Sequence, residues 1–561
     1  HKIIHTNFKP DFAPDYFHGV NYICHFTSFR RALLKKTGTF NSAYDGAQDY
    51  DLFLRLTEVA SCIVHIPQCL YYWRASPAST AGSSDAKDYS VSAGARALTA
   101  HLARVGMQAE VQLGKLPNTY RLAYAIQGCP LVSILIPNYD HAQTLKKCID
   151  SIKRLSTYKN YEIIIIENNS KENATFAYYD TLQHDERIKI VTWQGKFNYS
   201  AINNFGCKYA KGDYVLLLNN DIEVITPNWI EEMLMFAQRD DVGAVGAMLY
   251  YPSDKIQHAG VICGIGGVAG HSHKYFPRGD FGYARRLCTV QNFSCVTAAC
   301  LMLSKHIYEE VGGLDESFEV AFNDVDFCMR IRKAGYLNVW TPFAELYHYE
   351  SESRGYEDTP EKQARFAGEI NRFKSRWGKE VLSGDPFYNP NLTLNIENFA
   401  VNEGAVFSGA VIGFPTDTLP DLPLRSRNSF NWLAGFSIDI ANGVPVSNTL
   451  PIVLTSYAAI TELGGWAFDI ENHAHFSAVY VGIGTGVVKG ELCVRRPDVA
   501  KAFQYENDCL GFSIRFPVSL LKGAGTTVDK LLFYFVGKDG DFIYEPIVCA
   551  VRLEEKLPAQ A

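Results

Sequence analysis

Between Leu131 and Gln238 the apolar positions follow two alternating rhythms. The runs LVSILIP, YEIIIIENNS and DYVLLLNNDIEV, beginning at Leu131, Tyr161 and Asp213, are short and rich in aliphatic residues. Unbroken apolar runs of this length read as strands buried on both faces of a parallel sheet. HAQTLKKCIDSIKRL, NYSAINNFGCKYAKG and PNWIEEMLMFAQ instead show the spacing of helices packed on a core, with Pro227 where a first turn tolerates it. Strand–helix alternation predicts an α/β class, with a mostly parallel sheet covered on both faces. Ligands of such sheets bind at the carboxyl ends of strands, and here the strands end in polar clusters.

Elsewhere the rhythm differs. YNPNLTLN, ending at Asn395, closes the alternation. Beyond it, short runs such as AVYVGIG, KLLFYFVG and IYEPIVCAVRL, broken by turn residues, predict an all-β sandwich-like domain. DTLPDLPLRS (Asp417–Ser426) reads as a connector. Upstream, Asp85–Arg104 reads as a connecting helix and Gly106–Gly128 as a short β-rich linker.

An internal repeat crosses these boundaries. GTFNSAYDGAQDYDLFLRL (Gly38–Leu56) aligns with GGLDESFEVAFNDVDFCMRI (Gly312–Ile331) with a one-residue gap. Asp49 then pairs with Asp324, Asp51 with Asp326 and Arg55 with Arg330. Each copy is expected to continue into a short apolar strand ending near a proline, Pro67 in one and Pro342 in the other.

Three strand or helix ends carry candidate chemistry. Asn219-Asn220-Asp221 follows LLL, and an Asp delivered there offers the hard oxygen that a divalent cation on a diphosphate requires. An ordinary Asn/Asp turn is the alternative. Asn323-Asp324-Val325-Asp326 opens a helix, where carboxylates are favourable anyway. Capping accounts for Asp326, which leaves Asp324 as the better general base for an acceptor hydroxyl. Tyr347-His348-Tyr349 ends a further strand, and His348 reads either as structural or as a metal ligand. His271 and His273, set among glycines, are expected to be loop residues.

Composition narrows the classes. The chain has 561 residues, 53 basic and 60 acidic, for a net charge of −7, without a block of like charge, which argues against a nucleic-acid partner. Its 14 cysteines include no C-x-x-C pair, so the spacing does not suggest structural zinc. With no secretory pattern at the N-terminus, they read as reduced, mostly buried thiols of a cytoplasmic protein. No apolar run has the length of a membrane span. The first residue is His1, which leaves open what precedes it.

In order and spacing, SILIPNYD, IIIIENNS, Asn219–Asp221, FNDVDFCMRIRKAGY and YHYESESRG resemble the family 2 glycosyltransferases of GT-A fold, over about Pro130 to Thr393. The resemblance implies that Asp221 holds Mg2+ or Mn2+ on the donor diphosphate, that His348 is a further metal ligand and that Asp324 is the base. Asn219 stands where the family often has its first Asp, and with Asn220 it would border the donor nucleotide. Pro137, Tyr139 and Glu167 would line the nucleobase pocket, although Glu167 replaces the commoner Asp. IQHAGVICG (Ile256–Gly264) and HYESESRG (His348–Gly355) are similar to bacterial rhamnosyl- and galactofuranosyl-type transferases of surface polysaccharides. On that likeness Gln257, His258 and Asp326 would border the donor or acceptor sugar. Arg354 would meet the diphosphate, or else is an exposed loop residue.

The resulting expectation is an inverting, metal-assisted transferase extending a bacterial surface glycan. Its donor would be a nucleoside-diphosphate sugar, dTDP- or UDP-linked for preference, and its acceptor a glycan or lipid-linked glycan. Its place would be the cytoplasm, with peripheral association at the inner face of the membrane as an option. A catalytically decayed glycan-binding or scaffolding protein is the alternative. The expected domains are 1–84, a partial acceptor-side half with Asp49, Asp51 and YYWR (Tyr71–Arg74) but without a nucleotide-binding half. Residues 85–128 follow as helix and β linker, 129–395 as the complete catalytic domain, and 396–561 as a β-sandwich-like accessory domain. In the last of these Trp466 reads as a sandwich core residue or a sugar-stacking platform.

Overall fold

The computed structural model describes residues 6–67, 85–350 and 359–401, together with the strands that follow residue 401. Two compact units result, His1–Phe407 and Ser408–Ala561. Tyr71–Arg74 and Arg354 lie outside the described residues.

In the first unit the N-terminal segment forms α1 (Pro14–Gly19), α2 (Leu34–Thr37), α3 (Gln48–Val59) and α4 (Asp85–Val105). A hairpin of β1 (Ala109–Leu113) and β2 (Tyr120–Tyr124) follows. Leu52, Leu54 and Leu56 of α3 join Ala93, Ala97 and Leu98 of α4 in one small core.

Next come β3 (Val132–Asn138), α5 (Ala142–Leu155), β4 (Tyr161–Asn168), α6 (Asn173–Leu182), β5 (Ile188–Trp193) and α7 (Tyr199–Cys207). The chain continues through β6 (Tyr214–Leu218), β7 (Ile222–Val224), α8 (Trp229–Ala237) and β8 (Val242–Tyr250). The strands β5, β4, β3 and β6 run parallel in that order across the sheet. Their apolar runs serve both faces by simple alternation. Ile134, Ile136, Ile163 and Ile165 meet Leu145, Ile149 and Ile152 of α5 on one side, while Leu135, Ile164 and Ile166 meet Ile202 of α7 on the other. Close approach on the second side depends on Gly206, where a Cβ would come within 2.7 Å of Ile166.

The far half of the sheet is mixed. After β8 come β9 (Ile256–His258), β10 (Val261–Cys263), β11 (Ala269–His271), β12 (Gln291–Phe293), β13 (Cys300–Ser304), α9 (Lys305–Glu310), α10 (Asn323–Lys333) and β14 (Leu337–His348). Strand β13 enters antiparallel between β6 and β8, whereas β14 lies parallel to β8. Helix α11 (Pro360–Leu382) ends the pattern, burying Phe373 and Trp377 against the same core. The α/β class with a mostly parallel central sheet is therefore present. Among the described residues no helix is long and apolar enough to cross a membrane.

The repeat is visible as a shared clasp. Asp51 is wholly buried and bound by Arg55 at 2.5 Å, and Asp326 is wholly buried and bound by Arg330 at 2.8 Å. Each arginine also donates to a carbonyl at the end of the preceding short helix, Arg55 to Thr37, the last residue of α2, and Arg330 to Val311, just after α9. The copies then diverge. Residues 61–67 form no strand, contrary to expectation, and Val64 and Ile66 are exposed. A strand needs a neighbour to satisfy its backbone. In the second copy β14 has β8, β12 and β7, and among the described residues nothing pairs with 61–67.

The N-terminal segment is bolted to the α/β core by Asp15. Its Oδ1 accepts from Arg239 at 2.5 Å and its Oδ2 from the Asn292 amide at 2.7 Å, all three being largely buried.

The second unit is all-β among its described residues. Phe436–Ala441, Ile460–Ala467, Gly511–Pro517 and Gly486–Val494 form one run of antiparallel pairings. Ala478–Ile483 links Gly486–Val494 to Lys530–Val536, which pairs in turn with Ile547–Glu554. Trp466 is in one of these strands, but its side chain lies outside the described residues.

Candidate active site

Two remote segments meet at the carboxyl end of β6. After Asn219, Asn220 and Asp221 the chain turns into β7, which pairs antiparallel with the end of β14 so that Ile222 lies opposite His348. The Tyr349 amide donates to the Asp221 carbonyl at 2.9 Å, locking the two ends together. His348 Nε2 then stands 3.1 Å from Asp221 Oδ1, with both side chains almost fully buried.

Neighbours decide what this pair can do. His348 Nδ1 lies 2.7 Å from Gln257 Oε1, and Gln257 Nε2 donates to Glu350 at 2.9 Å. An amide oxygen only accepts, so Nδ1 carries a proton here, and in the neutral tautomer Nε2 offers a lone pair. Asp221 Oδ1 is buried within ion-pair distance of that nitrogen but makes no hydrogen bond. Asn219 Nδ2 approaches the same lone pair at 3.2 Å. A buried carboxylate oxygen and an imidazole lone pair converging on one spot form a donor set that fits Mg2+ or Mn2+.

The second corner holds Asp324, in the first turn of α10. Its Oδ1 accepts from the Val325 amide at 2.8 Å and its Oδ2 from the Ala298 amide at 3.1 Å. Burial pushes its carboxyl upward, an effect only partly offset by the Ala298 amide and the Thr297 hydroxyl. The residue is nonetheless only half-buried by surface, so an edge stays open to a reactant. Tyr199 joins the corners, with its hydroxyl 3.1 Å from the Ala298 carbonyl and 3.3 Å from Asn219 Oδ1. Asn219 N also donates to Ala299 O at 3.0 Å.

Several expected sugar or nucleotide contacts are instead internal. Asp326 accepts from Arg330, from Arg376 at 2.7 Å and from Trp377 at 2.8 Å, which pins α10 to α11 and leaves neither oxygen for a sugar. Glu167 takes the Ser170 amide and hydroxyl and the Tyr179 hydroxyl, so it shapes the loop after β4 rather than facing a nucleobase. Asn220 is buried and donates to Asn138 at 2.7 Å, tying the end of β6 to that of β3. Pro137 and Tyr139 stand at the carboxyl end of β3, and Tyr139 is exposed there.

Two histidines also differ from expectation. His258 is wholly buried, with Nδ1 3.0 Å from His271 Nδ1, so it backs the site wall rather than bordering a sugar. Gln257 is buried too, and its two amide ends serve His348 and Glu350. His271 is in β11, paired with Val261, and His273 is wholly buried, accepting from the Tyr283 amide and stacked on Phe399. Burial holds His271 down to about 4 and His273 to about 3. His273 lies in a turn, as expected of a loop residue, whereas His271 ends β11, and tertiary packing closes over this glycine-rich stretch. Tyr199, which joins the two corners, had no motif to mark it.

Residues 133–312 match the family described as glycosyl transferase family 2. The chain is 48% identical over 402 residues to the uncharacterized protein y4gI of Sinorhizobium fredii, covering 71% of this chain and 44% of that one. It is 40% identical over 391 residues to the O-antigen biosynthesis protein RfbC of Myxococcus xanthus, covering 69% and 30%. An N-acetylglucosaminyl-diphospho-decaprenol L-rhamnosyltransferase of Mycobacterium tuberculosis is 23% identical over 248 residues, covering 40% and 77%. The chain thus spans less than half the length of the first two relatives. Residues 133–312 of this chain are thus a glycosyl transferase family 2 domain.

Proposed function

We propose that this domain moves a sugar from a nucleoside diphosphate to a growing bacterial surface glycan, by a metal-assisted displacement that inverts the anomeric centre. The observation carrying this reading is the buried Asp221 Oδ1, which makes no hydrogen bond and stands 3.1 Å from His348 Nε2. Those two residues would hold Mg2+ or Mn2+. When bound, such an ion supplies charge stabilisation to a departing diphosphate.

The chain's own residues do the rest. Asp324 takes the proton of the acceptor hydroxyl as its oxygen bonds to the anomeric carbon, and the bond from that carbon to the diphosphate oxygen breaks. A base set in a partly desolvated corner is suited to this, because its raised proton affinity matches the task. Gln257 and Glu350 orient His348, and Tyr199 keeps the two corners in register. Tyr139, exposed at the end of β3, is the surface against which the nucleobase would lie. The O-antigen name of one relative and the rhamnosyl name of another support a surface-glycan product, and the donor in this reading is dTDP- or UDP-linked. Work at the inner membrane face, on a lipid-linked acceptor, belongs to the same reading.

The test is ligand-induced thermal stabilisation with UDP-, dTDP- and GDP-sugars, with and without Mn2+. One donor class should raise Tm only with metal present. A glycan-binding scaffold needs no such response, and its absence for all three classes would sink the proposal.

A further inference from the structure

We infer that Cys24, His25 and Asp49 form a second metal site, selective for Zn2+, in the N-terminal copy of the repeat. One ligand atom of each lies within 4.8 Å of the others. Cys24 Sγ and His25 Nδ1 are already 3.0 Å apart. A tetrahedral zinc with bonds of about 2.3 Å to sulfur and about 2.0–2.2 Å to nitrogen or oxygen requires similar spacings, so the loop needs little movement to close on an ion. Sulfur, nitrogen and oxygen together form a borderline-soft set, which favours Zn2+ over Mg2+ or Mn2+. Three protein ligands leave the fourth position open to water.

The surroundings are built to aim these groups. Asn21 Nδ2 donates to Asp49 Oδ2 at 3.1 Å, while Asn21 Oδ1 accepts from the Cys24 amide at 3.3 Å, so one side chain orients two ligands. Supporting bonds of this kind are a regular part of metal sites. On the other side Lys9 Nζ donates to the Ile23 and His25 carbonyls at 2.5 and 2.6 Å, which fixes the loop that carries the thiol and imidazole. Cys24 and Asp49 are half-buried and His25 is exposed, so an ion has a way in.

The repeat gives the site its meaning. Asp49 occupies the place of Asp324, and each accepts the amide of the next residue, from Tyr50 at 2.9 Å and Val325 at 2.8 Å. Where the second copy sets its aspartate against the Ala298 amide, the first surrounds it with a thiol and an imidazole. Metal binding displaces the thiol proton and ties the loop around residue 24 to α3.

The experiment is Co2+ titration of the reduced, untagged full chain, read by its near-ultraviolet thiolate-to-cobalt band. A single band saturating at one equivalent, displaced by Zn2+ and lost in Cys24→Ser, is expected. His25→Ala and Asp49→Asn should each weaken Co2+ binding about tenfold or more, and Cys62→Ser, at an exposed cysteine, should keep the band. Cobalt at Asp221 and His348 has no sulfur donor and gives no such band, so the outcome is independent of the catalytic proposal. No band in the parent chain, or a band that survives Cys24→Ser, would overturn the inference.

Discussion

Asp221 Oδ1 and His348 Nε2 stand 3.1 Å apart, both almost fully buried, without a hydrogen bond between them. Antiparallel pairing of β7 with β14 imposes this proximity, and Gln257 orients the ring by accepting from Nδ1 on the far side. A mutual hydrogen bond would have satisfied both atoms. Their failure to make one makes the pair readable as a ligand set.

Gln257→Leu should therefore act on metal rather than on fold. Loss of an orienting partner typically costs about 10–100-fold in metal affinity. Mn2+ titration by calorimetry should show a weakening of that order, with Tm in the absence of metal shifted much less. Unchanged Mn2+ affinity would mean that His348 is oriented by something else.

The two acids of α10 should separate cleanly. Asp324→Asn is expected to cut turnover by roughly 10²–10⁴ while leaving donor binding nearly intact. Asp326→Asn removes the charge held by Arg330, Arg376 and Trp377, and its main effect should be a lower Tm. Breaking a buried pair costs about 3–5 kcal/mol, less here because Arg376 is 37% exposed. Turnover and thermal unfolding measured on the same preparations would decide, and a reversed pattern would exchange the roles.

Much of this architecture was legible because strands buried on both faces write themselves as unbroken apolar runs. SILIP, IIII and LLL announced β3, β4 and β6, and their ends pointed to Asn219–Asp221. Asp324 and His348 were found through motif order. Side chains that turn inward at strand ends were harder to place. Nothing in the sequence says that Glu167 folds back on Ser170, that Asp326 is consumed by α11, or that Gln257 faces His348 rather than a sugar. His258, His271 and His273 lack any periodicity, and their burial arises from contacts across the glycine-rich segment. Likewise an apolar stretch such as 61–67 becomes a strand only where another strand is available to pair with it.

Those buried histidines should make the fold acid-sensitive. His271 and His273 titrate near 4 and 3 in the folded chain but near 6.5 when unfolded, so the unfolded state binds more protons between those values. Stability should be level above about pH 6.5 and fall as pH drops toward 4, by about 2 kcal/mol per histidine at pH 5. Urea unfolding at pH 7.5 and pH 5.0 checks this, with His273→Phe expected to flatten the difference. A midpoint independent of pH across this range would contradict it.

Asp15→Ala tests the attachment of the N-terminal segment. Burial alone would push this carboxyl up, but the Arg239 guanidinium outweighs it and holds the group below the ordinary carboxylate range. Its contribution is complete above the unfolded value and is lost as pH falls through the depressed one. At neutral pH the substitution removes one carboxylate partner of Arg239 and leaves it Asp241, so it should cost less than the about 3–5 kcal/mol of a fully broken buried pair. It should lower Tm and increase proteolysis between α1 and α4, while Mn2+ binding at Asp221 stays near the parent value. Full stability in the variant would show that the segment is held by other contacts.

The central claim is that Asp221 and His348 share one divalent cation required for sugar transfer. Its most direct measurement is transfer from the donor identified by thermal shift, assayed with Mn2+ and then with excess EDTA, in the parent chain and in Asp221→Ala. Chelation should abolish transfer, Mn2+ should restore it in the parent but not in the variant, and the variant should lose metal-dependent tightening of nucleoside-diphosphate binding. Undiminished transfer in excess EDTA, or an Asp221→Ala chain that still responds to Mn2+ like the parent, would contradict the account.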